Sequence, residues 1–145
     1  MGGVEVKILR AGDQGVLVHV APEVFDHPVD LKLAEEFLAD ERHHLAVAID
    51  AGMVVGFASA VHYVHPDKAA ELWINEVAVA PTHRGRGIAK EILRVMFDVG
   101  RELGCGQAWV LTDRDNEAAM GLYRSVGGTE APKDSVMFEF RLGED

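Results

Sequence analysis

The sequence predicts an α/β fold on a mixed, twisted sheet, and three patterns carry that expectation. Short apolar or alternating stretches recur between turn residues, as strands do. Two amphipathic stretches in the second half have helical spacing. In the middle of the chain the order strand, helix, strand (Glu71 to Thr112) forms a parallel crossover unit, which places a helix against the sheet. With 145 residues, the chain has the length of one domain, and a single domain over 1–145 is expected.

Val4 to Ile8 alternates Val, Val and Ile with Glu5 and Lys7, the pattern of a half-buried strand. An irregular polar stretch follows to Pro22. Asp30 suits the N-cap of a helix running to about Asp40, with Leu31, Leu33, Ala34, Phe37 and Leu38 as its apolar stripe. Leu45 to Ile49 and Val54 to Tyr63 form two strands joined through Asp50-Ala51-Gly52, a hairpin turn by composition. Glu71 to Val79 is the next strand, ended by Pro81. Gly85 to Leu103 is the clearest helix, with Ile88, Ile92, Val95, Met96, Val99 and Leu103 on one face and Gly104 as its stop. Gln107 to Thr112 is a strand, Asn116 to Ser125 a helix stopped by Gly127-Gly128, and Val136 to Leu142 a last strand.

Composition narrows the function classes. Hydrophobic residues make up 48% and charged ones 26%, the balance of an ordinary globular protein. No apolar run approaches the ~20 residues that cross a bilayer, so no membrane partner is expected. The net charge of −10 opposes nucleic-acid binding, which needs a basic surface, and suits a cationic partner. An acidic surface that serves solubility alone is the other reading. Cys105 stands alone, so no intrachain disulfide can form and a reducing cytoplasm is the expected location. It follows a helix end with no His nearby in sequence, which speaks against covalent catalysis. His43-His44 and His62 with His65 lack a Cys or clustered carboxylate to complete a ligand set, so no metal is expected.

Arg84-Gly85-Arg86-Gly87-Ile88-Ala89 is the sharpest local signal. It lies between a strand and a long helix, where unpaired N–H groups and the positive end of the helix dipole favour an anion. Gly85 and Gly87 admit a diphosphate close to the backbone, and Arg84 and Arg86 add fork-shaped donors. Lys and Ser or Thr do not follow Gly87, and Lys90 stands where a dinucleotide fingerprint needs glycine, so neither of those phosphate loops fits. A turn that merely starts a helix remains the plain alternative.

These residues resemble the acetyl-CoA signature of the GNAT acetyltransferases, matched by Arg84, Gly87 and Ala89. Asn75-Glu76-Val77-Ala78-Val79-Ala80-Pro81 is similar to that family's fourth strand. Asn116 to Gly128, with Leu122-Tyr123 inside it, is similar to its second motif. The likeness covers most of the chain from Leu45 onward. It implies an acetyl-CoA-dependent N-acetyltransferase whose fourth and fifth strands splay apart around the cosubstrate. Backbone groups of Val77, Ala78 and Val79 would pair with the pantetheine arm. The N–H groups of Arg84, Gly85, Arg86, Gly87, Ile88 and Ala89 would hold the diphosphate, and Asn116 would contact the arm. Glu76 would take the proton of the amine, directly or through water, or else bind a cationic substrate without taking it. Tyr123 would protonate the leaving thiolate, its alternative being a core tyrosine. A backbone N–H near Val77 would polarise the thioester carbonyl. Direct transfer in a ternary complex and a homodimer also follow from the likeness.

Within the family the chain is most similar to the aminoglycoside 3-N-acetyltransferases, in its length, Val54-Val55-Gly56, Asn75 to Val79, His83-Arg84 and Val136-Met137-Phe138. It departs from them in Glu76, where they carry Asp, and in Pro81-Thr82. That likeness implies an antibiotic-resistance enzyme. By charge, Asp26, Asp30, Glu76, Asp113 and Asp115 are expected to face a cationic amine, a solvated acidic surface being the plain alternative. A polyamine, another small amine, a protein amine, and an acetyl-CoA sensor without turnover are the alternatives.

Overall fold

The computed structural model describes residues 3–131 and 134–143. Its five strands lie in sequence order across one sheet: β1 (Glu5–Leu9), β2 (His43–Asp50), β3 (Met53–Tyr63), β4 (Glu71–Val79) and β5 (Gln107–Val110). Neighbours from β1 to β4 are antiparallel, and β4 pairs with β5 in parallel. The helices are α1 (Leu31–Ala39), α2 (Ile88–Glu102) and α3 (Glu117–Ser125). The expected mixed sheet and crossover are both present. Short 3-10 turns at Asp13–Val18 and Pro81–His83 fill the irregular stretches, the first burying Leu17.

Local chemistry sets the element ends. Asp30 caps α1 as expected, its Oδ1 accepting from the N–H groups of Lys32 (2.8 Å) and Leu33 (3.2 Å). β2 and β3 are joined by Ala51 and Gly52, both at positive φ (50° and 82°), which is the primed turn that matches strand twist. The helix expected from Gly85 begins only at Ile88. Gly85 and Gly87 sit at φ 76° and 78°, so the chain is still turning there, and Gly87 is the N-cap.

The sheet is covered on both faces. Gly56 and Phe57 point to opposite sides of β3. A Cβ on Gly56 would come within 3.1 Å of Ile92 Cδ1, so that face carries α2, packed close. Phe57 stacks on Phe25 with ring centroids 4.0 Å apart, so the other face carries the segment leading to α1. Phe57, Leu72, Ile74, Ile92, Leu93 and Met96 are fully buried between these layers. Burying each contributes roughly 1.5–3 kcal/mol.

Two departures from regular pairing shape the centre. On β4, Glu76 pairs with Ser59 and Ile74 with Ala60, leaving Asn75 as the extra residue of a bulge. The ladder to β5 ends at Ile74–Val110, while β4 runs five residues further. Past that point the two strands part, as the expected splay requires.

The strand expected over Val136–Leu142 is not formed. The segment pairs with no strand among the described residues, and Val136, Phe138, Phe140 and Leu142 are 75%, 77%, 80% and 99% exposed. Alternation marks one apolar face, but a strand also needs an edge to take its N–H and C=O groups, and among the described residues this segment is paired with none.

Candidate active site

The opening between β4 and β5 is a groove of about 710 Å³. Such a volume falls in the range of small-molecule sites. One wall is the free flank of β4 at Val77, Ala78 and Val79, and the far wall is α3 with Asn116, Leu122 and Tyr123. The turn into α2 closes one end with Arg84, Gly85, Gly87, Ile88 and Ala89. Nine of the ten residues expected to hold a cosubstrate line this one groove. Arg86 is the exception, and it borders a neighbouring hollow with Val4, Val6 and Glu91.

The turn is held from several sides. Arg84 Nε donates to the Val79 carbonyl at 3.1 Å, and the Ala80 N–H donates to the Val55 carbonyl at 2.7 Å. His83 Nε2 lies 2.7 Å from Asp50 Oδ2, and its Nδ1 lies 2.8 Å from the Thr82 hydroxyl. This bridge spans 33 positions and no local pattern signals it. Among the described residues nothing lies within 4 Å of a Cβ built on Gly85 or Gly87. The space above both glycines is therefore open, and their positive φ is what reserves these positions for glycine.

At the mouth of α3, Asn116 caps the helix, its Oδ1 accepting from the Ala119 N–H at 3.1 Å. The amide Nδ2 remains available to a ligand. Tyr123 is half-buried in the groove wall, and burial pushes its phenol above the ordinary value. It therefore keeps its proton at neutral pH, the state a proton donor needs. At the closed end of the strand pair, Trp109 Nε1 donates to Glu71 at 2.7 Å and fastens β5 to β4 before they part.

Glu76 is exposed and lies outside the groove lining, one residue beyond the bulge and next to Val77. Because directly paired residues share a face, Glu76, Ser59 and Phe57 lie on the side of the sheet covered by Phe25. Asp26 follows Phe25 and lines a second groove of about 590 Å³ on that side. Asp26 and Glu76 thus share a face. Asp30 is engaged in capping α1, while Asp113 and Asp115 are exposed in the loop between β5 and α3. The buried Ser59 hydroxyl, which has no hydrogen-bond partner among the described residues, was not singled out by the sequence; only the strand register brings it opposite Glu76.

The other candidates lie apart. Cys105 borders a small separate hollow with Leu72 and Gly100, away from the groove, and burial raises its thiol, which disfavours the thiolate. His44 Nε2 and His62 Nδ1 are 2.8 Å apart, one donating and the other accepting. Burial, then the neighbouring His62 and His43, holds His44 down to about 4. Among the described residues no group of three or more His, Cys, Asp or Glu could hold a metal. No described helix is long and apolar enough to cross a membrane.

Comparison with known proteins gives one family. The profile of the Acetyltransferase (GNAT) family matches residues 16–127. The chain is 34% identical over 106 residues to streptothricin acetyltransferase of Streptomyces lavendulae, covering 73% of this chain and 54% of that protein. It is 33% identical over 90 residues to the N-alpha-acetyltransferase RimI of Mycobacterium tuberculosis, covering 62% and 54%. The chain thus spans about half the length of these curated relatives. Among solved structures, an aminoglycoside acetyltransferase from an uncultured soil metagenomic sample, in complex with sisomicin, superposes with a TM-score of 0.82. That match covers 97% of both chains at 19% identity and concerns the fold.

Proposed function

The chain belongs to the GNAT acetyltransferase family, and from that membership we propose that it transfers an acetyl group from acetyl-CoA to the amine of a cationic small molecule, foremost an aminoglycoside. The observation that carries this reading is the groove between the parted strands, with a glycine turn at a helix start closing it and a protonated Tyr123 in its wall. The residues fit the cosubstrate. The open flank of Val77 to Val79 suits an added strand-like arm, and the space above Gly85 and Gly87 suits a diphosphate at the N-terminus of α2.

Acetyl-CoA supplies the thioester. The free amine attacks its carbonyl carbon, the new C–N bond forms and the C–S bond breaks. Glu76, exposed at the bulge, takes the ammonium proton directly or through water, and Tyr123 gives its proton to the departing sulfur. The N–H of Val77 faces the charge that develops on the carbonyl oxygen. Asp26, on the Glu76 face, and Asp113 and Asp115, beyond β5, supply negative potential for a cationic acceptor. We read residues 1–145 as one catalytic domain working in the cytoplasm, and the 3-N amine as the acylated position.

A second reading, acetylation of a protein amine, is favoured by the likeness to the N-alpha-acetyltransferase. Thiol release from acetyl-CoA in the presence of aminoglycosides, spermidine, small amines and N-terminal peptides separates them. Turnover on an aminoglycoside supports the first reading. Turnover on peptides alone replaces it with the second, and tight acetyl-CoA binding without turnover on any amine overturns both.

A further inference from the structure

Ser59 is an isolated polar side chain in the middle of β3. It is 8% exposed, and its hydroxyl has no hydrogen-bond partner among the described residues. Its neighbour on β2 is Leu45, and Phe57 and Val61 flank it on the same side of β3, so none of these offers it a polar group. A buried hydroxyl has given up its bonds to water, so it is almost always paired, and an unpaired one beside a reacting group calls for a partner.

The bulge on β4 supplies that partner. Ile74 pairs with Ala60 and Glu76 with Ser59, Asn75 being the extra residue. In an unbroken ladder Asn75 would stand opposite Ser59, and Glu76 opposite Ala58 on the side covered by α2. Ala58 is 0% exposed, so that side has no water for a carboxylate. The one-residue insertion thus turns Glu76 to the other side of the sheet, across from Ser59. Directly paired residues have Cβ atoms about 4.5–5.5 Å apart. A hydroxyl one bond out from Cβ and a carboxylate oxygen three bonds out close that gap by side-chain rotation alone. Glu76 is exposed, so its side chain is free to make the turn.

We propose that Ser59 is a positioning residue for Glu76, its hydroxyl donating to the carboxylate and holding it toward the amine. The inference rests on the reading of Glu76 as the group that takes the ammonium proton. In that step the proton passes from the amine nitrogen to the Glu76 oxygen that Ser59 does not hold, and Ser59 keeps its own. The Ser59 bond survives as one to the carbonyl oxygen of the resulting acid. Phe57, stacked on Phe25, makes the surroundings apolar, which strengthens a hydrogen bond to a charged group. An unrestrained glutamate samples several rotamers, and fixing the one that faces the amine is the gain in rate.

The test is a double-mutant cycle on kcat with Ser59→Ala and Glu76→Gln in the full chain, using the amine that the wild type acetylates fastest. Melting temperatures are measured alongside. Ser59→Ala removes only the oxygen, and loss of an unpaired buried hydroxyl is expected to leave the melting temperature at or above that of the wild type. With Glu76 present, kcat is expected to fall about tenfold at an unchanged acetyl-CoA constant; with Gln there, it falls less than about twofold. A Ser59→Ala protein with wild-type kcat, while Glu76→Gln is slow, overturns this inference and leaves the function standing. An equal fall on both backgrounds, or a fall accompanied by a lower melting temperature, marks a structural role and overturns it too. Wild-type kcat in Glu76→Gln, or no turnover on any amine, overturns the reading of Glu76 and this inference with it.

Discussion

The backbone N–H of Gly128 donates to the carbonyl of Tyr123 at 2.9 Å, and a Cβ on Gly128 would stand 2.8 Å from that same oxygen. Gly127, at φ 94°, donates to Arg124, so the pair closes α3 in a Schellman turn directly behind the tyrosine. The position of the Tyr123 ring thus depends on two residues lacking side chains. Gly128→Ala is expected to cost about 1–3 kcal/mol, from the forced shift of that carbonyl. Gly127→Ala is expected to cost about 1 kcal/mol, from its backbone angle alone. Thermal melts measure both, and a Gly128→Ala protein that melts with the wild type means the contact relaxes freely.

Tyr123→Phe is expected to lower kcat at least about tenfold while leaving acetyl-CoA affinity unchanged. Because burial raises the phenol, wild-type activity holds through neutral pH and falls only at alkaline pH as the proton is lost. That falling limb disappears in the variant. Equal kcat at saturating amine removes Tyr123 from proton donation.

Gly87→Val replaces a left-handed N-cap with a β-branched residue and fills the open space above it. The expected result is at least a tenfold rise in the acetyl-CoA constant, with a smaller change in the acceptor constant. Initial-rate kinetics with both substrates varied would expose the reverse pattern, which would move the diphosphate elsewhere.

Much of this was legible because it is local. The Asp30 cap, the limits of β4 and the stop at Gly127-Gly128 each depend on residues within a few positions. The delayed start of α2 was not legible, because Gly85 fits a helix by pattern and leaves it only by its backbone angle. The bulge at Asn75 exists only relative to β3, so β4 alone could not reveal it. Trp109–Glu71 and His83–Asp50 join residues more than thirty positions apart. The residues around the groove were recognised through a family motif, whereas the acidic ones were chosen by charge alone. The structure gives those acidic residues different surroundings: a cap for Asp30, a groove for Asp26, an open loop for Asp113 and Asp115.

Glu76→Gln keeps the shape at the bulge and removes the carboxylate. The expected outcome is a fall in kcat of about 10²-fold or more at saturating amine. An unchanged kcat with a change confined to the acceptor KM assigns Glu76 to binding alone.

The burial of His44, with His62 and His43 beside it, predicts acid sensitivity of the fold. His44 has its folded value lowered from 6.5 to about 4, so between those values the unfolded chain holds more protons than the folded one. This contribution is complete above about pH 6.5 and is lost as pH falls toward 4. Allowing for the half-exposed ring, it amounts to on the order of 1–2 kcal/mol. His44→Gln is expected to flatten the stability curve between pH 7 and 4.5. Denaturant titrations across that range test it, and parallel curves for the two proteins would place the acid sensitivity elsewhere.

The bridge from His83 to Asp50 ties the entrance of α2 to the end of the β2–β3 hairpin, the tightest turn of the sheet. A segment fastened in this way has little freedom left to lose when something docks on it. Docking on the glycine turn is then a meeting of a ligand with a finished surface, so its rate is set by encounter and charge and not by a rearrangement of the loop. On the proposed reading, the cosubstrate would then need no partner already bound in order to dock.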